Sequence, residues 1–175
     1  GAALAISPVT LRARVDPRPL SSRDPSGPPL TDDPRQAAPF AAAWTLAFLA
    51  AAAEAGFASL TFFELLGPRG VMDEEKAFPV LHALADVAAV KDAFVLPSRS
   101  RRPERVQALA LRSPGLARLY LANVTAEPHP VRVDGLPGRL LRAPLGAPGP
   151  GEAVEGEVEL GPHEVARIDV GSGAA

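Results

Sequence analysis

Apolar and polar residues alternate with a period of two near the start of the chain, over residues 6–15. Val9 and Leu11 lie on one face of this pattern, and Arg12 and Arg14 lie on the other. Alternation of this kind predicts a β-strand. Both arginines should then stand at the carboxyl end of that strand.

A proline-rich stretch at residues 16–30 follows and is predicted to form a loop. Aromatic residues then recur at every fourth position, at Phe40, Trp44 and Phe48. Such a stripe is typical of a helix that packs against a core, and Trp44 is therefore expected in the core. The helix should end at Gly56, because glycine readily adopts the left-handed conformation that terminates helices.

The start of this helix is marked by the segment DPRQ at residues 33–36. Asp33 is expected to cap the helix, and Gln36 is expected to reach back and complete a capping box. Pro34 suits the first helical position. Pro39 should separate the first turn from the rest of the helix, because its ring removes a backbone donor.

Residues 58–66 are apolar on both faces as far as Glu64, which is typical of a parallel strand covered on both sides. A loop that carries Arg69 follows, and a second helix is predicted from Pro79 to about Asp92. The order strand, helix, strand, helix indicates an α/β fold. In a parallel barrel, the strand ends and the helix starts that follow them lie on one face.

From Ala93 onwards, short strands separated by turn residues replace this pattern and predict a small antiparallel β-sandwich. The predicted strands are residues 94–97, 106–111, 117–124, 130–133, 139–143, 153–160 and 164–170. We expect residues 1–92 to form the last two βα units of a (β/α)8 barrel and residues 93–175 to form the sandwich. Two such units cannot close a barrel, so the other units should come from a preceding, missing N-terminal part of the same barrel.

Composition narrows the function classes. The chain has 175 residues, no cysteine and a net charge of −2, which excludes disulfides and thiol nucleophiles and gives no reason to expect nucleic acid or an anionic membrane as a partner. The apolar run at residues 37–53 is short for a membrane span. The chain begins with Gly1, and Met72 is its only methionine, so we expect a piece of a longer, cytoplasmic protein.

Candidate chemistry gathers at the predicted carboxyl ends of the strands. Glu64 is the candidate catalytic residue, as base or nucleophile, and Arg12, Arg14, Arg69 and His82 are the candidate substrate-binding residues. A carboxylate beside arginines and a histidine suits ester or glycoside hydrolysis, in which an arginine stabilises developing negative charge on oxygen. The structural alternative is a carboxylate that is ion-paired to barrel arginines.

Several signatures of other chemistries are absent from the sequence. It contains no phosphate-binding loop, dinucleotide fingerprint, zinc-protease motif or serine nucleophile elbow, and no metal site is predicted. A single candidate carboxylate cannot run the two-carboxylate mechanism of a glycosidase alone. A second acid for that mechanism would have to come from other strands of the barrel.

Several short motifs of the first 90 residues occur in an order that matches a known family. They are residues 6–14 (ISPVTLRAR), 33–36 (DPRQ), 42–46 (AAWTL), 62–64 (FFE) with 69–72 (RGVM), and 78–80 (FPV) with His82. In this order they resemble the D-apionate lactonase family. Beyond residue 90 the best matching segment is 121–125 (LANVT).

The resemblance implies a bacterial protein of sugar-acid catabolism, with a glycosidase-like TIM barrel followed by a C-terminal β-domain. It implies hydrolysis of a sugar lactone, D-apionolactone, to D-apionate, without a nucleotide cofactor, so no cofactor is expected. Two alternatives stay open: a glycoside hydrolase on the same barrel scaffold, and a non-catalytic relative that binds sugar.

Overall fold

The computed structural model describes residues 3–15, 18, 26–27, 29–136, 138–147, 149 and 151–171. Most of the loop predicted at residues 16–30 lies outside the described residues. In the N-terminal part, two strands that pair with each other alternate with two helices. Strand β1 (Ala5–Val9) is followed by a 3₁₀ helix (Pro34–Ala37), helix α1 (Pro39–Glu54), strand β2 (Ser59–Phe62) and, further on, helix α2 (Pro79–Ala88).

Strands β1 and β2 pair in parallel, as the βα pattern predicts, with a register shift between Ile6 and Val9. Strand β1 ends at Val9, several residues earlier than the alternation predicts. Arg12 and Arg14 therefore lie in the segment that follows the strand and are free to turn towards neighbouring loops.

The predicted strand at residues 58–66 is divided into two. Phe63 has φ 51 and interrupts the extended backbone after β2. Strand β3 (Glu64–Leu66) then joins a separate small sheet with β4 (Gly70–Asp73) and β5 (Lys76–Ala77). Glu64 is thus the first residue after the break, just beyond the carboxyl end of β2.

The turn before α1 forms mostly as predicted. The Oδ1 atom of Asp33 accepts a hydrogen bond from the backbone N–H of Arg35 at 2.9 Å, and α1 begins separately at Pro39. The predicted reach of Gln36 back to the cap is not observed. Its buried Nε2 instead donates to the backbone oxygen of Gly70 at 2.8 Å, because the neighbouring loop places an acceptor beside it.

The C-terminal part contains a six-stranded antiparallel sheet in the order β11-β10-β13-β8-β7-β6 and a two-stranded sheet of β9 and β12. The strands are β6 (Phe94–Leu96), β7 (Val106–Ser113), β8 (Leu116–Asn123), β9 (His129–Arg132), β10 (Arg139–Ala143), β11 (Glu152–Val154), β12 (Glu157–Leu160) and β13 (Val165–Gly171). The single strand predicted at residues 153–160 is two strands in different sheets, because the chain turns at Gly156, where φ is 71.

The six-stranded sheet is covered on both faces. One face packs on the two-stranded sheet of β9 and β12, where Ile168 and Leu119 share an apolar cluster with Leu160. The other face packs on the helices, with Tyr120 in the same cluster as Leu46 of α1. Helices and sheet therefore share one core, which fixes the β-domain against the N-terminal part.

Candidate functional site

Glu64 lies between two arginines. Nη2 of Arg14 donates to Oε1 of Glu64 at 2.9 Å. Arg69 binds both carboxylate oxygens, with Nε 3.1 Å from Oε1 and Nη2 3.3 Å from Oε2. The remaining nitrogen of Arg69, Nη1, donates to the Thr31 hydroxyl at 3.3 Å and lies 3.9 Å from Oδ1 of Asp32. The three side chains are partly open to solvent, with 29% of the Glu64 side chain exposed.

The backbone before Glu64 adopts an uncommon conformation. A positive φ is rare for a bulky residue such as Phe63, and its N–H donates to the Val9 carbonyl at 3.2 Å, which holds the break against β1. Such outliers persist only where the surrounding structure imposes them, and they cluster at functional sites. Here the break releases Glu64 from the plane of the parallel sheet and turns it to the arginines.

Arg69 is positioned by a compact turn between β3 and β4. The N–H of Gly70 donates to the carbonyl of Gly67 at 2.8 Å, and Gly67 has φ 85. A β-carbon at residue 70 would stand 2.6 Å from the backbone carbon of Leu66, so the turn leaves no room for a side chain there. The N–H of Glu64 in turn donates to the Arg69 carbonyl at 3.2 Å. Acid and arginine are therefore held to each other by backbone as well as by side chains.

The two arginines lower the pKa of Glu64, Arg14 contributing most through its hydrogen bond and Arg69 next. Glu64 is consequently an ionised carboxylate at neutral pH. A lowered pKa makes it a weaker base while both arginines stay in place. A ligand that drew one arginine away would reverse part of this shift and make Glu64 more basic.

A second acid–arginine group lies at the start of the 3₁₀ helix before α1. Asp33 is buried and accepts from Nε and Nη2 of Arg35 at 3.0 and 2.8 Å and from Nε of Arg12 at 3.2 Å. The hydrogen bond from Arg35 is the main reason that the pKa of Asp33 falls to about 2. Arg12 is thus engaged with Asp33, next to the Glu64 site but in no hydrogen bond to Glu64 among the described residues.

His82 stands apart from these groups. It is exposed on α2 and lies beside the loop at Gly146, where an added β-carbon would be 3.3 Å from His82 Nδ1. Of the predicted site residues, the structure thus brings Arg14 and Arg69 to Glu64. Arg12 is paired with Asp33 instead, and His82 lies against the β-domain.

A buried acidic residue that the sequence analysis did not single out is Asp86 on α2. Its Oδ1 accepts from the Tyr120 hydroxyl at 2.8 Å and from Arg118 Nη1 at 2.9 Å. Its Oδ2 accepts from the N–H of Gly146 at 2.7 Å and from Arg167 Nη1 at 3.1 Å. Burial raises the pKa of Asp86, but the hydrogen bonds from Gly146, Tyr120 and Arg167 outweigh it and the net shift is downward. The sequence carried no signal for this role, because Asp86 lies outside the apolar stripe predicted for α2.

Asp169 completes this group by binding both arginines. Arg118 Nε lies 2.6 Å from its Oδ1, and Arg167 Nη2 lies 2.8 Å from its Oδ2. Arg167 also donates to the carbonyls of Ala147 and Gly149 at 2.8 and 2.7 Å. A cleft of about 610 Å³ borders the group. Since the charged groups are paired with one another, we interpret the group as a structural ion-pair network that holds α2 to the β-domain.

Within the described ranges, no cluster of three or more His, Asp or Glu side chains is suited to a metal ion. No helix among the residues with described structure is both long enough and apolar enough to cross a membrane.

Comparison with known families agrees with this architecture. Residues 1–92 match the model of the D-apionate lactonase TIM barrel domain, and residues 103–168 match the C-terminal immunoglobulin-like domain of D-apionate lactonase. The chain belongs to the D-apionate lactonase family. The resemblance noted from short sequence motifs is therefore confirmed. None of the curated proteins matches the chain significantly.

Solved structures with the same fold include glycoside hydrolases. A family 30 endoxylanase from Clostridium papyrosolvens has a TM-score of 0.58 at 9% identity, over 81% of this chain and 40% of that one. The catalytic domain of family 30 xylanase C from Talaromyces cellulolyticus has a TM-score of 0.56 at 14% identity, over 78% and 36%. A conserved exported protein from Bacteroides fragilis has a TM-score of 0.60 at 9% identity, over 96% and 39%. The chain spans about two fifths of the length of each of these proteins.

Proposed function

We propose that this chain contributes Glu64, Arg14 and Arg69 to the active site of a hydrolase that opens a sugar lactone, as D-apionolactone is opened to D-apionate. The observation that carries the proposal is the carboxylate held between two arginines just beyond the end of a parallel strand. Membership of the D-apionate lactonase family supports the substrate class.

The chemistry follows from the charges. Water attacks the lactone carbonyl, and the negative charge that develops on its oxygen is stabilised by an arginine. An arginine that turns from Glu64 to this oxygen removes a hydrogen bond from the carboxylate, so the pKa of Glu64 rises as its proton-accepting role begins. Glu64 takes the proton of the attacking water, the ring C–O bond breaks, and the proton passes to the departing alkoxide. The new carboxylic acid loses its remaining proton to solvent, and the resulting carboxylate then meets the arginines.

The alternative is a glycoside hydrolase on the same barrel, with Glu64 as one of two carboxylates. The xylanases that share the fold motivate this alternative. Among the described acids near Glu64, Asp33 is committed to Arg12 and Arg35, which leaves it poorly suited to donate a proton. One ionised carboxylate with two arginines fits a carbonyl and a carboxylate product better, and we therefore favour the lactone. A non-catalytic, sugar-binding relative is the third reading.

Further parts of the proposal concern the whole protein. Residues 1–92 would supply the last two βα units of a (β/α)8 barrel, and the other units would come from the rest of that barrel. Arg12 and His82 stay predicted substrate-binding residues. A cytoplasmic location likewise stays a prediction, as does the absence of a cofactor.

Substitution of the acid tests the proposal. In the complete barrel protein, Glu64→Gln should lower kcat/KM for an aldonolactone by about 10²–10⁴-fold, the range typical of a lost general base. Glu75→Gln, in the exposed turn between β4 and β5, is the matched control and should retain activity. Aryl glycosides are assayed in parallel. Unchanged lactone turnover in Glu64→Gln rules out the proposed role, and turnover of glycosides alone selects the alternative.

A further inference from the structure

The β-domain also touches the N-terminal part through His163. This residue lies in the turn between β12 and β13, with φ 54, and its N–H donates to the Thr125 carbonyl at 3.0 Å. Its ring meets Phe40, in the first turn of α1, edge to face, with ring centroids 5.3 Å apart and planes at 87°. The buried Nδ1 has no hydrogen-bond partner within the described part of the chain.

Phe40 in turn contacts Arg35. The guanidinium carbon of Arg35 lies 4.3 Å from the centroid of the Phe40 ring, a cation–π arrangement. Arg35 binds Asp33 through two nitrogens, and Asp33 binds Arg12. A continuous series of contacts thus runs from the β-domain turn to the segment that follows β1.

The same 3₁₀ helix also reaches the Glu64 side of the site. Gln36 donates from its buried Nε2 to the Gly70 carbonyl at 2.8 Å, and Gly70 directly follows Arg69. Arg69 in turn holds both oxygens of Glu64. The 3₁₀ helix and its cap are therefore bonded to both segments that bring arginines to the site, and Phe40 follows the end of this helix after Ala38 and Pro39.

We propose that His163 is a positioning residue of the β-domain. It holds Phe40 in place, and through Phe40 it orders the 3₁₀ helix that positions Arg12 and Arg69. An edge-to-face aromatic contact has a preferred geometry as well as a favourable energy, and it restricts the rotation of the Phe40 ring. That ring then gives Arg35 a fixed surface to lie on. The effect on catalysis rests on the proposed function, whereas the effect on the order of the 3₁₀ helix does not.

Hydrogen–deuterium exchange with peptide resolution tests the ordering effect. His163→Asn removes the ring and keeps a residue type that tolerates positive φ. Exchange at residues 31–38 should become about two- to tenfold faster, as expected for loss of one aromatic contact. His129→Asn is the matched control, since His129 Nε2 lies 2.9 Å from Thr125 Oγ1 inside the β-domain. It should leave residues 31–38 unchanged.

A second variant keeps the test independent of any folding defect. Phe40→Leu removes the other partner of the contact and should give the same faster exchange. In that background His163→Asn should add little, because interacting residues give non-additive effects. Additive effects, equal exchange in His163→Asn and the parent, or the same increase in His129→Asn would each overturn the proposal.

Kinetics separate this proposal from the function itself. If the parent protein hydrolyses the lactone, His163→Asn should raise KM about two- to tenfold, with a smaller change in kcat, because the substrate-binding arginines lose their fixed position. An unchanged KM overturns the catalytic consequence. A parent protein without lactone turnover refutes the proposed function, and the exchange experiment still decides the role of His163.

Discussion

Arg14 donates to the carboxylate of Glu64 at 2.9 Å although 50 positions separate the two residues in the sequence. The contact forms because β1 ends early at Val9 and because the backbone breaks at Phe63. Both irregularities turn side chains out of the parallel sheet towards one another. The ion pair is therefore a product of two departures from regular strand structure.

The first prediction concerns the charge of Glu64. Arg14→Gln should raise the pKa of Glu64 towards its ordinary value, because Arg14 is the main cause of the lowered pKa. Arg69→Gln should raise it as well, and the double variant should raise it further. The titration of the labelled Glu64 carboxyl carbon, followed by NMR, measures the shift. A pKa that stays unchanged in Arg14→Gln would show that the pair does not persist in solution.

The second prediction concerns the loss of stability at low pH that Asp33 causes. The pKa of Asp33 falls from 3.8 to about 2 in the folded protein. A lowered pKa stabilises the fold above the unfolded value, and this contribution is lost as pH falls through the folded value. Asp33→Asn keeps a capping oxygen but removes the charge, and it should cost about 1–2 kcal/mol at neutral pH.

Urea unfolding at several pH values measures this difference. The difference in free energy of unfolding between the parent and Asp33→Asn should be constant above pH 3.8. It should shrink as the pH falls from 3.8 to about 2. A gap that is the same at the acid end as at neutral pH would contradict the assignment of the lowered pKa to the charged pair.

The third prediction concerns the buried group around Asp86. Asp86→Ala leaves Arg118 and Arg167 without one of their two carboxylates and should lower the free energy of unfolding by about 3–5 kcal/mol. Tyr120→Phe removes one hydrogen bond and should cost about 1 kcal/mol.

An exposed ion pair supplies the control for that series. Asp134 pairs with Arg132 on the surface at 3.2 Å, and Asp134→Asn should cost at most about 1 kcal/mol. Urea denaturation of the three variants gives the comparison. A loss in Asp86→Ala no larger than that in Asp134→Asn would mean that the buried group does not hold α2 to the β-domain.

The fourth prediction concerns Asn123, whose Nδ2 donates to the carbonyls of Glu127 and Gly161 at 2.7 and 2.8 Å. Asn123→Asp keeps the shape but replaces both donors by an acceptor, so it should cost about 2–4 kcal/mol. Thr125→Ser keeps the hydroxyl that bonds Oδ1 and is the control. Thermal unfolding measures both, and equal midpoints for Asn123→Asp and the parent would refute the structural role.

The same residue shows that a short motif alone does not establish a site. Residues 123–125 (NVT) have the form of a glycosylation acceptor, but Asn123 is fully buried and its amide is bonded on both sides. The order of the longer strands and helices, by contrast, was predicted well, although the loop predicted around Arg69 contains the short strand β4. The strand at 139–143 has the predicted bounds, and α1 begins at Pro39 as its sequence indicates. These features depend on residue periodicity and on proline, which act over a few neighbouring positions.

Predictions were weaker where tertiary packing decides which face of an element is buried. On α2 the apolar pattern predicts a buried stripe of Val80, Leu81, Leu84, Val87 and Ala88. Val80 is buried as predicted, but the other buried positions are Ala83 and Asp86. The helix packs against both α1 and the β-sheet, so its buried face follows those two neighbours. An acid is accepted there because Arg118 and Arg167 are brought to it by β8 and β13.

The sequence by itself determined the α/β and β parts, the family and the choice of Glu64, Arg14 and Arg69 as candidates, since these depend on local patterns and motifs. Only the tertiary structure decided that both arginines meet Glu64, that His82 lies by the β-domain, and that His163 reaches Phe40. The physical reason is the same in each case. Such contacts join residues far apart in the chain, and their geometry depends on how whole elements pack rather than on any neighbouring residue.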